Sequence, residues 1–231
     1  MASDNGGPDM FGGTKPLGVA GRSWRALMVV ALLAGVGWSA PAFAQCGGTQ
    51  LCAPGAGDCT IAADCTITVP AAGLTIDLGA RKLVITKMLT FAGGESSNVV
   101  INAGSFLLDG GTILSAGANQ IAGNVTINLQ ADATIQNNGL IDVSAGITPG
   151  SVDIEALGGD MNFNGRIKAN ATTRAGDGGN ITLFGLNNLT ATGTLNVSAG
   201  DMGLGGEIDL TAQNGAMVAE RAAERRGRRR W

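Results

Sequence analysis

The sequence predicts an all-β fold, a right-handed parallel β-helix in which about six coils, each of about 25–29 residues, stack into a three-sided solenoid. Three observations predict it. Short apolar segments recur at a nearly constant spacing, three of them occur in each period, and glycine, present 38 times in 231 residues, stands at the turns. Each coil of a solenoid occupies one strand-to-strand rise of about 4.8 Å, so successive coils need nearly equal perimeters. Connections between parallel strands are right-handed by a strong rule, which sets the direction of the coils.

The first series of segments alternates apolar and polar residues. In the clearest of them, Val125, Ile127 and Leu129 alternate with Thr126 and Asn128, which indicates one buried and one solvated face. The starting positions of the six segments are nearly evenly spaced, and a glycine and one polar residue precede each of the last four. The series consists of 74–78, 99–101, 125–129, 152–154, 181–183 and 208–210.

Two further series complete each period. The second is marked by Ile85, Ile113, Ile141, Ile167 and Leu195, which recur at nearly the same spacing as the first. A shorter apolar piece lies between the first two series, at 106–108, 133–135, 161–163 and 189–191. An antiparallel sandwich is the alternative fold for short alternating strands, but it requires no equality between successive hairpins. The constant period therefore favours the solenoid.

Residues 1–44 are predicted to be an N-terminal extension followed by a secretory signal peptide. Basic Arg22 and Arg25 precede an apolar run at 26–38, and a small-residue exit follows at 42–44. The run holds about 13 residues, fewer than the roughly 20 that span a bilayer, so cleavage is favoured over an uncleaved anchor. The sequence therefore predicts an exported protein without a transmembrane segment after cleavage.

Residues 45–70 are predicted to form a disulfide-bearing N-terminal cap. This segment holds all four cysteines, and an even, clustered set in an exported chain indicates two disulfides, with three possible connectivities. A four-thiolate metal site is the competing interpretation, but five or six residues separate the cysteines, whereas such sites favour closely spaced pairs. Lipidation is not favoured, because Gln45 stands where a lipoprotein signal places its cysteine. The cysteines are Cys46, Cys52, Cys59 and Cys65.

The β-helix is predicted over 71–217 and is followed by a basic tail at 218–231. Three interpretations of the tail stay open: a capping helix, a truncated end and an anion-binding patch. Without 1–44 and 220–231 the chain holds 6 basic and 14 acidic residues, a net charge of −8, so no nucleic-acid partner is expected. The open ends of a solenoid favour self-association unless a cap covers them.

Three phrases resemble the repeats of bacterial filamentous-haemagglutinin-type adhesins and autotransporter passengers: GGNITL at 178–183, GTLNVSAG at 193–200 and GGEIDL at 205–210. The resemblance covers about 71–215. It implies a protein secreted by a Gram-negative bacterium or held at its cell surface, with surface glycans or proteins of host or neighbouring cells as partners. We therefore expect a non-catalytic, adhesin-like or structural protein.

The alternative function is a polysaccharide-degrading β-helix enzyme of the pectinase-like kind. The phrase GRIK at 165–168 resembles the substrate clamp of polygalacturonase-like glycosidases, but those enzymes also need paired aspartates and a histidine segment. Histidine is absent from the chain, which excludes every catalytic arrangement that depends on it. Arg166 and Lys168 are therefore expected to be outward residues flanking buried Ile167, and no catalytic residue is predicted.

Calcium is the remaining chemical candidate, because four carboxylates lie near glycine-rich turns. The turns do not repeat the nonapeptide that builds calcium-bound β-rolls, so no metal site and no cofactor are predicted. Two threonine pairs, at 66 and 68 and at 190 and 192, do not recur in every coil, which argues against a flat ice- or mineral-binding face. The four carboxylates belong to Asp177, Asp201, Glu207 and Asp209.

Overall fold

The computed structural model describes residues 51–55, 57–93, 98–116, 121–220 and 223–224. The predicted extension and signal peptide, Cys46 and most of the basic tail lie outside the described residues. Within the described residues, twenty β-strands and no helix are present, and so none of them forms a helix that could cross a membrane. This part of the chain is all-β, as the sequence predicts.

The strands are three to six residues long, apart from the two-residue β20. They are β1 (Cys59–Ile61), β2 (Cys65–Val69), β3 (Leu74–Asp77), β4 (Lys82–Ile85), β5 (Met88–Gly93), β6 (Val99–Ala103), β7 (Ser105–Leu108), β8 (Thr112–Ala116), β9 (Val125–Leu129), β10 (Ala133–Ile135), β11 (Leu140–Asp142), β12 (Val152–Ala156), β13 (Met161–Phe163), β14 (Arg166–Lys168), β15 (Asn180–Gly185), β16 (Leu189–Ala191), β17 (Thr194–Asn196), β18 (Glu207–Ala212), β19 (Met217–Ala219) and β20 (Ala223–Glu224).

Every third strand joins the same parallel sheet, so each coil contributes one strand to each of three sheets. Sheet 1 has the order β1-β4-β7-β10-β13-β16-β19, and sheet 2 the order β2-β5-β8-β11-β14-β17-β20. Sheet 3 has the order β3-β6-β9-β12-β15-β18. The structure is therefore a three-sided parallel β-solenoid of about six turns, which confirms the predicted architecture.

The registers confirm two of the three predicted series. Val152 pairs with Val125 on one side and with Ile181 on the other, so the first series forms sheet 3 in the predicted alignment. The short apolar pieces form sheet 1, where Ala133 pairs with Phe106 and with Met161. Alternation along the strands places one set of side chains in the core and the other at the surface.

The placement of Ile85 in the second series is wrong. Ile85 belongs to β4 of sheet 1 and pairs with Leu108, whereas the partner of Ile113 in sheet 2 is Leu89. The predicted spacing holds for the later coils, but the step from Leu89 to Ile113 is shorter than any step in the predicted series. The first coils therefore fall below the predicted minimum of about 25 residues, and the perimeter lengthens along the solenoid.

The close approach of neighbouring coils explains why a glycine precedes each of the later strands of sheet 3. A Cβ atom on Gly150, Gly179 or Gly206 would collide with the carbonyl oxygen of the glycine one coil earlier. The coils approach so closely at this corner that only glycine fits. The strands that follow these glycines therefore lie at the spacing that hydrogen bonding between neighbouring strands requires.

The described part of the predicted cap contains both a disulfide and two strands of the solenoid. Cys52 and Cys59 are bonded, with Cα atoms 5.7 Å apart, and Cys65 is disulfide-bonded as well. Strands β1 and β2 lie between residues 59 and 69 and pair in parallel with β4 and β5. The first coil therefore begins inside the segment that carries the cysteines.

The described part of the basic tail is extended. Strand β19 pairs with β16, and β20 pairs with β17, so sheets 1 and 2 continue beyond Met217. This segment is not helical, because the ladder offers each added strand the backbone hydrogen bonds that a helix would form internally.

Candidate binding groove

A row of polar side chains runs along the outer surface of sheet 1. Alternation in β10, β13 and β16 turns the flanking residues of each strand inward and the central residue outward. The central residues Thr134, Asn162 and Thr190 are paired in register, so they form one row parallel to the solenoid axis. Their spacing is that of adjacent strands, about 4.8 Å per coil.

A second polar row lies beside the first, just after these strands. It consists of Gln136, Asn164 and Thr192, which are all exposed. The backbone amide of Asn164 donates to the carbonyl of Ile135 (2.8 Å). The backbone amide of Thr192 donates to the carbonyl of Phe163 (2.8 Å). These bonds extend the ladder beyond the strands and keep the second row in register.

One wall of the groove comes from a difference in turn length. Four residues, 136–139, connect β10 to β11, whereas two residues connect β13 to β14 and two connect β16 to β17. The two additional residues include exposed Asn137, which lines the groove. The longer turn of one coil therefore stands at the end of the two rows.

The resulting groove has a volume of about 450 Å³ and contains no charged residue. Its side chains carry hydroxyl and amide groups, which both donate and accept hydrogen bonds. Ile135 and Phe163 also border the groove, but their side chains point into the core and are at most 1% exposed. The lining residues are Thr134, Ile135, Gln136, Asn137, Asn162, Phe163, Asn164, Thr190 and Thr192.

Glycine makes the short turns at the edge of the groove possible. A Cβ atom on Gly165 would lie 2.5 Å from the Cγ2 methyl of Ile135 and 2.7 Å from the carbonyl oxygen of Gly139. On Gly193 it would collide with Gly165 and with the Phe163 ring. The tight packing of these turns fixes the position of the polar residue that precedes each glycine.

A ladder of Asp and Asn side chains fixes the N-terminal ends of the strands that carry the groove. Asp132 accepts a hydrogen bond from the amide of Asp160 (2.8 Å), and Asp160 accepts one from the amide of Asn188 (3.1 Å). Asn188 in turn accepts from the amide of Ala216 (3.0 Å). Each side chain thus ties one coil to the next, just before the strands that carry the groove.

The sequence-predicted clamp residues lie on sheet 2. Arg166 and Lys168 face outward on either side of buried Ile167, as expected. Nζ of Lys168 lies 4.0 Å from Oδ2 of Asp142 on the preceding coil, an exposed ion pair of small energetic weight. Neither residue lines the groove.

The four candidate calcium carboxylates do not converge on one site. Asp177 accepts a hydrogen bond from the amide of Leu204 (2.8 Å), and Asp209 accepts one from the hydroxyl of Thr211 (3.3 Å). Asp201 and Glu207 are exposed. Among the described residues, no group of three or more Asp, Glu, Cys or His side chains is placed to hold a metal ion.

One carboxylate pair is not marked by any motif of the sequence. Asp153 and Glu155 occupy alternate positions of β12, so both face outward on sheet 3. Burial raises the pKa of Asp153, and the charge of Glu155 raises that pKa further. Oδ1 of Asp153 is buried without a hydrogen-bond partner, and uncharged Thr126 and Thr182 flank the residue on the neighbouring strands. The alternation in VDIEA is the signal that could have revealed the pair.

The chain matches no protein-family model, no curated protein and no solved structure. The resemblance of its glycine-containing phrases to haemagglutinin-type and autotransporter repeats therefore stays a prediction from the sequence.

Proposed function

We propose that the protein is an exported, non-catalytic surface or extracellular protein of the adhesin-like kind, and that it binds glycan chains in the groove on sheet 1. The observation that carries the proposal is the lining of the groove, in which seven side chains carry hydroxyl or amide groups and none is charged. Sugars offer many hydroxyl groups, and these find hydrogen-bond donors and acceptors here. Export itself is supported by the signal-like segment at 22–44.

The geometry favours a linear, uncharged polysaccharide. The two rows present similar groups once per coil, so a chain that lies along the solenoid axis meets a repeated set of donors and acceptors. An acidic polysaccharide would gain no cation in the groove and would be repelled by the net negative charge of the solenoid region. The turn that contains Asn137 limits the binding path at one end.

A matched pair of threonines tests this site. Thr190 lies in the groove and Thr182 on sheet 3, and both are half-buried, outward-facing residues in the interior of a strand. The wild-type chain is first screened against neutral and acidic glycans on an array. For a bound glycan, Thr190→Val is expected to raise Kd about 5- to 20-fold through the loss of one hydrogen bond, whereas Thr182→Val leaves Kd unchanged.

Two results would contradict glycan binding in the groove. One is the absence of binding to any glycan on the array. The other is an equal loss of affinity in the two valine variants, because their shared change is the loss of an outward hydroxyl and only one of them alters the groove.

Polysaccharide cleavage is the second candidate function, and the Asp153–Glu155 pair is the observation that favours it. Residues two apart in a strand lie about 6.6 Å apart, near the separation of acid and base carboxyls in inverting glycosidases. Incubation of the bound glycan with the protein, followed by size analysis of the products, separates the two functions. If the wild type produces shortened glycan chains and Asp153→Asn does not, the protein is an enzyme and the non-catalytic proposal is refuted.

A further inference from the structure

The first polar row of the groove, which runs from Thr134 to Thr190, gives way to apolar residues on both sides. Leu107 of β7 pairs with Thr134, and Val218 of β19 pairs with Thr190. Paired residues of parallel strands face the same side of a sheet, so Leu107 and Val218 continue the row. Their side chains can neither donate nor accept a hydrogen bond. The hydrogen-bonding part of this row therefore spans the three coils of β10, β13 and β16.

The second polar row, which runs from Gln136 to Thr192, gives way to carboxylates at the same two coils. Asp109 stands one coil before Gln136, and Glu220 stands one coil after Thr192. The backbone amide of each donates to the preceding coil over 3.0 Å, so both residues keep the register of the row. Both are exposed. An acidic polysaccharide that runs past the groove would therefore meet like charge on either side of it.

An open strip without outward side chains lies between the two rows. It is formed by Ile135, Phe163 and Ala191, whose side chains point into the core and are at most 2% exposed. Residues two apart along a strand lie about 6.6 Å apart, which is about the width of a sugar ring with its hydroxyl groups. A flat chain that lies on the strip therefore reaches hydroxyl and amide groups along both of its edges.

The groups of each row recur at a single spacing. Thr134, Asn162 and Thr190 pair without a shift of register, and adjacent strands lie about 4.8 Å apart. A ligand that makes the same contacts on each coil must therefore advance along the solenoid axis by about one strand spacing for each of its units. This requirement selects among polysaccharides by linkage, because the linkage sets how far the chain advances with each sugar.

We propose that the groove binds an extended β-1,4-linked chain of neutral hexoses, with three consecutive sugars in place, one on each coil. This inference rests on the proposed glycan binding and adds the linkage and the length of the bound segment. A β-1,4-linked chain is a flat ribbon with hydroxyl groups along both edges, and each sugar advances it by about one strand spacing. Chains linked α-1,4 or β-1,3 wind into helices, so their sugars leave the register of the coils. A fourth sugar would lie beside Leu107 or Val218 and lose the hydrogen bonds of the first row.

The test is calorimetric titration of the whole chain with β-1,4-linked oligosaccharides of glucose and of mannose, two to six sugars long. In the series that binds, the step from two to three sugars should lower Kd at least about fivefold, and the step from three to four less than about twofold. Glucose trisaccharides with α-1,4 or β-1,3 linkages are the matched ligands, because they differ from the β-1,4-linked glucose trisaccharide in linkage alone. They should bind at least about tenfold more weakly than the best β-1,4-linked trisaccharide.

A variant at one end of the first row tests the arrangement of one sugar on each coil. Thr190→Val should raise Kd for the trisaccharide about tenfold, because the third sugar loses its hydroxyl partner. The disaccharide still has the coils of β10 and β13 and should lose no more than about twofold, since only one of its two positions is altered. Thr182→Val on sheet 3 is the control and should leave both Kd values unchanged.

Three results would overturn the inference: a Kd that keeps falling at the same rate beyond three sugars, equal affinity for the three linkages, or equal loss of disaccharide and trisaccharide binding in Thr190→Val. If any of them occurs while Thr190→Val still binds a neutral glycan more weakly than Thr182→Val does, glycan binding in the groove stands and only the linkage and length are wrong. The absence of binding to every glycan would overturn both.

Discussion

Ile141 and Ile167 pair in register on neighbouring coils of sheet 2, and neither side chain is exposed. The residues that follow them, Asp142 and Lys168, also pair and face outward, with Lys168 Nζ 4.0 Å from Asp142 Oδ2. One step along the chain thus separates the core from the surface. Leu195 and Asn196 repeat the arrangement in the next coil.

The first prediction compares the same new side chain at these two depths. Ile167→Asn places an amide between buried apolar Ile141 and Leu195, and we expect the free energy of unfolding to fall by about 3–5 kcal/mol. Lys168→Asn introduces the residue that already stands at the paired position 196, so its effect should stay within about 0.5 kcal/mol. Urea unfolding midpoints give both values. Equal damage from the two changes would mean that the register of β14 is wrong.

The second prediction concerns the tight turn at the groove. Gly165→Ala forces a Cβ atom to within 2.5 Å of the Ile135 side chain and 2.7 Å of the Gly139 carbonyl oxygen. Overpacking of this kind should destabilise the protein by about 1–3 kcal/mol. Because Asn164 precedes the glycine, glycan binding should weaken as well.

Gly57→Ala is the control for this prediction, because nothing lies within 4 Å of an added Cβ at Gly57. Its unfolding midpoint should equal or slightly exceed that of the wild type, since alanine reduces the entropy of the unfolded chain. A Gly165→Ala protein as stable as the Gly57→Ala protein would show that the turn relaxes at little cost.

The sequence was most informative where the coils are regular. Sheet 3 can be aligned residue by residue because alternation marks each strand and a preceding glycine also marks the last four, as at Gly150 and Val152. Ile85 was misplaced because the early coils are shorter than the later ones, and no residue marks that change. Periodicity thus predicts a repeated unit better than a departure from it.

The groove was not predictable for a related reason. It depends on the turn at 136–139 being two residues longer than the equivalent turns of the next two coils, and turn length has no signature in strand alternation. The sequence marks Thr190 and Thr192 as a pair, but only the registers and backbone hydrogen bonds place Asn162 and Asn164 beside them on the preceding coil. Different polar residues can occupy equivalent positions without leaving a repeated motif.

The third prediction concerns the Cys52–Cys59 disulfide, which precedes the first strands of the solenoid. Replacement of both Cys52 and Cys59 by serine removes a cross-link that closes a short loop, and the free energy of unfolding should fall by about 2–3 kcal/mol under oxidising conditions. After full reduction the wild type and the double variant should unfold at nearly the same urea concentration. A large difference that persists after reduction would assign the loss to packing of the sulfur atoms.

The last prediction follows from the pKa of Asp153, which burial raises above its usual value of 3.8 and which the charge of Glu155 raises further. Between 3.8 and the raised value, the folded protein binds more protons at this site than the unfolded chain does. The contribution of Asp153 to stability is therefore most favourable below pH 3.8 and is lost as the pH rises through the folded-state pKa.

Asp153→Asn removes this dependence, because an amide does not titrate. The stability of the variant relative to the wild type should rise with pH and level off above the folded-state pKa of Asp153. Glu155→Gln should move the pKa of Asp153 back towards its usual value by removing only the smaller cause. Urea unfolding between pH 3 and 8 measures the first effect, and carboxyl titration by NMR measures the second. Parallel stability profiles for the wild type and Asp153→Asn would show that the carboxyl is solvated, and they would remove the physical basis for a role of Asp153 as a proton donor.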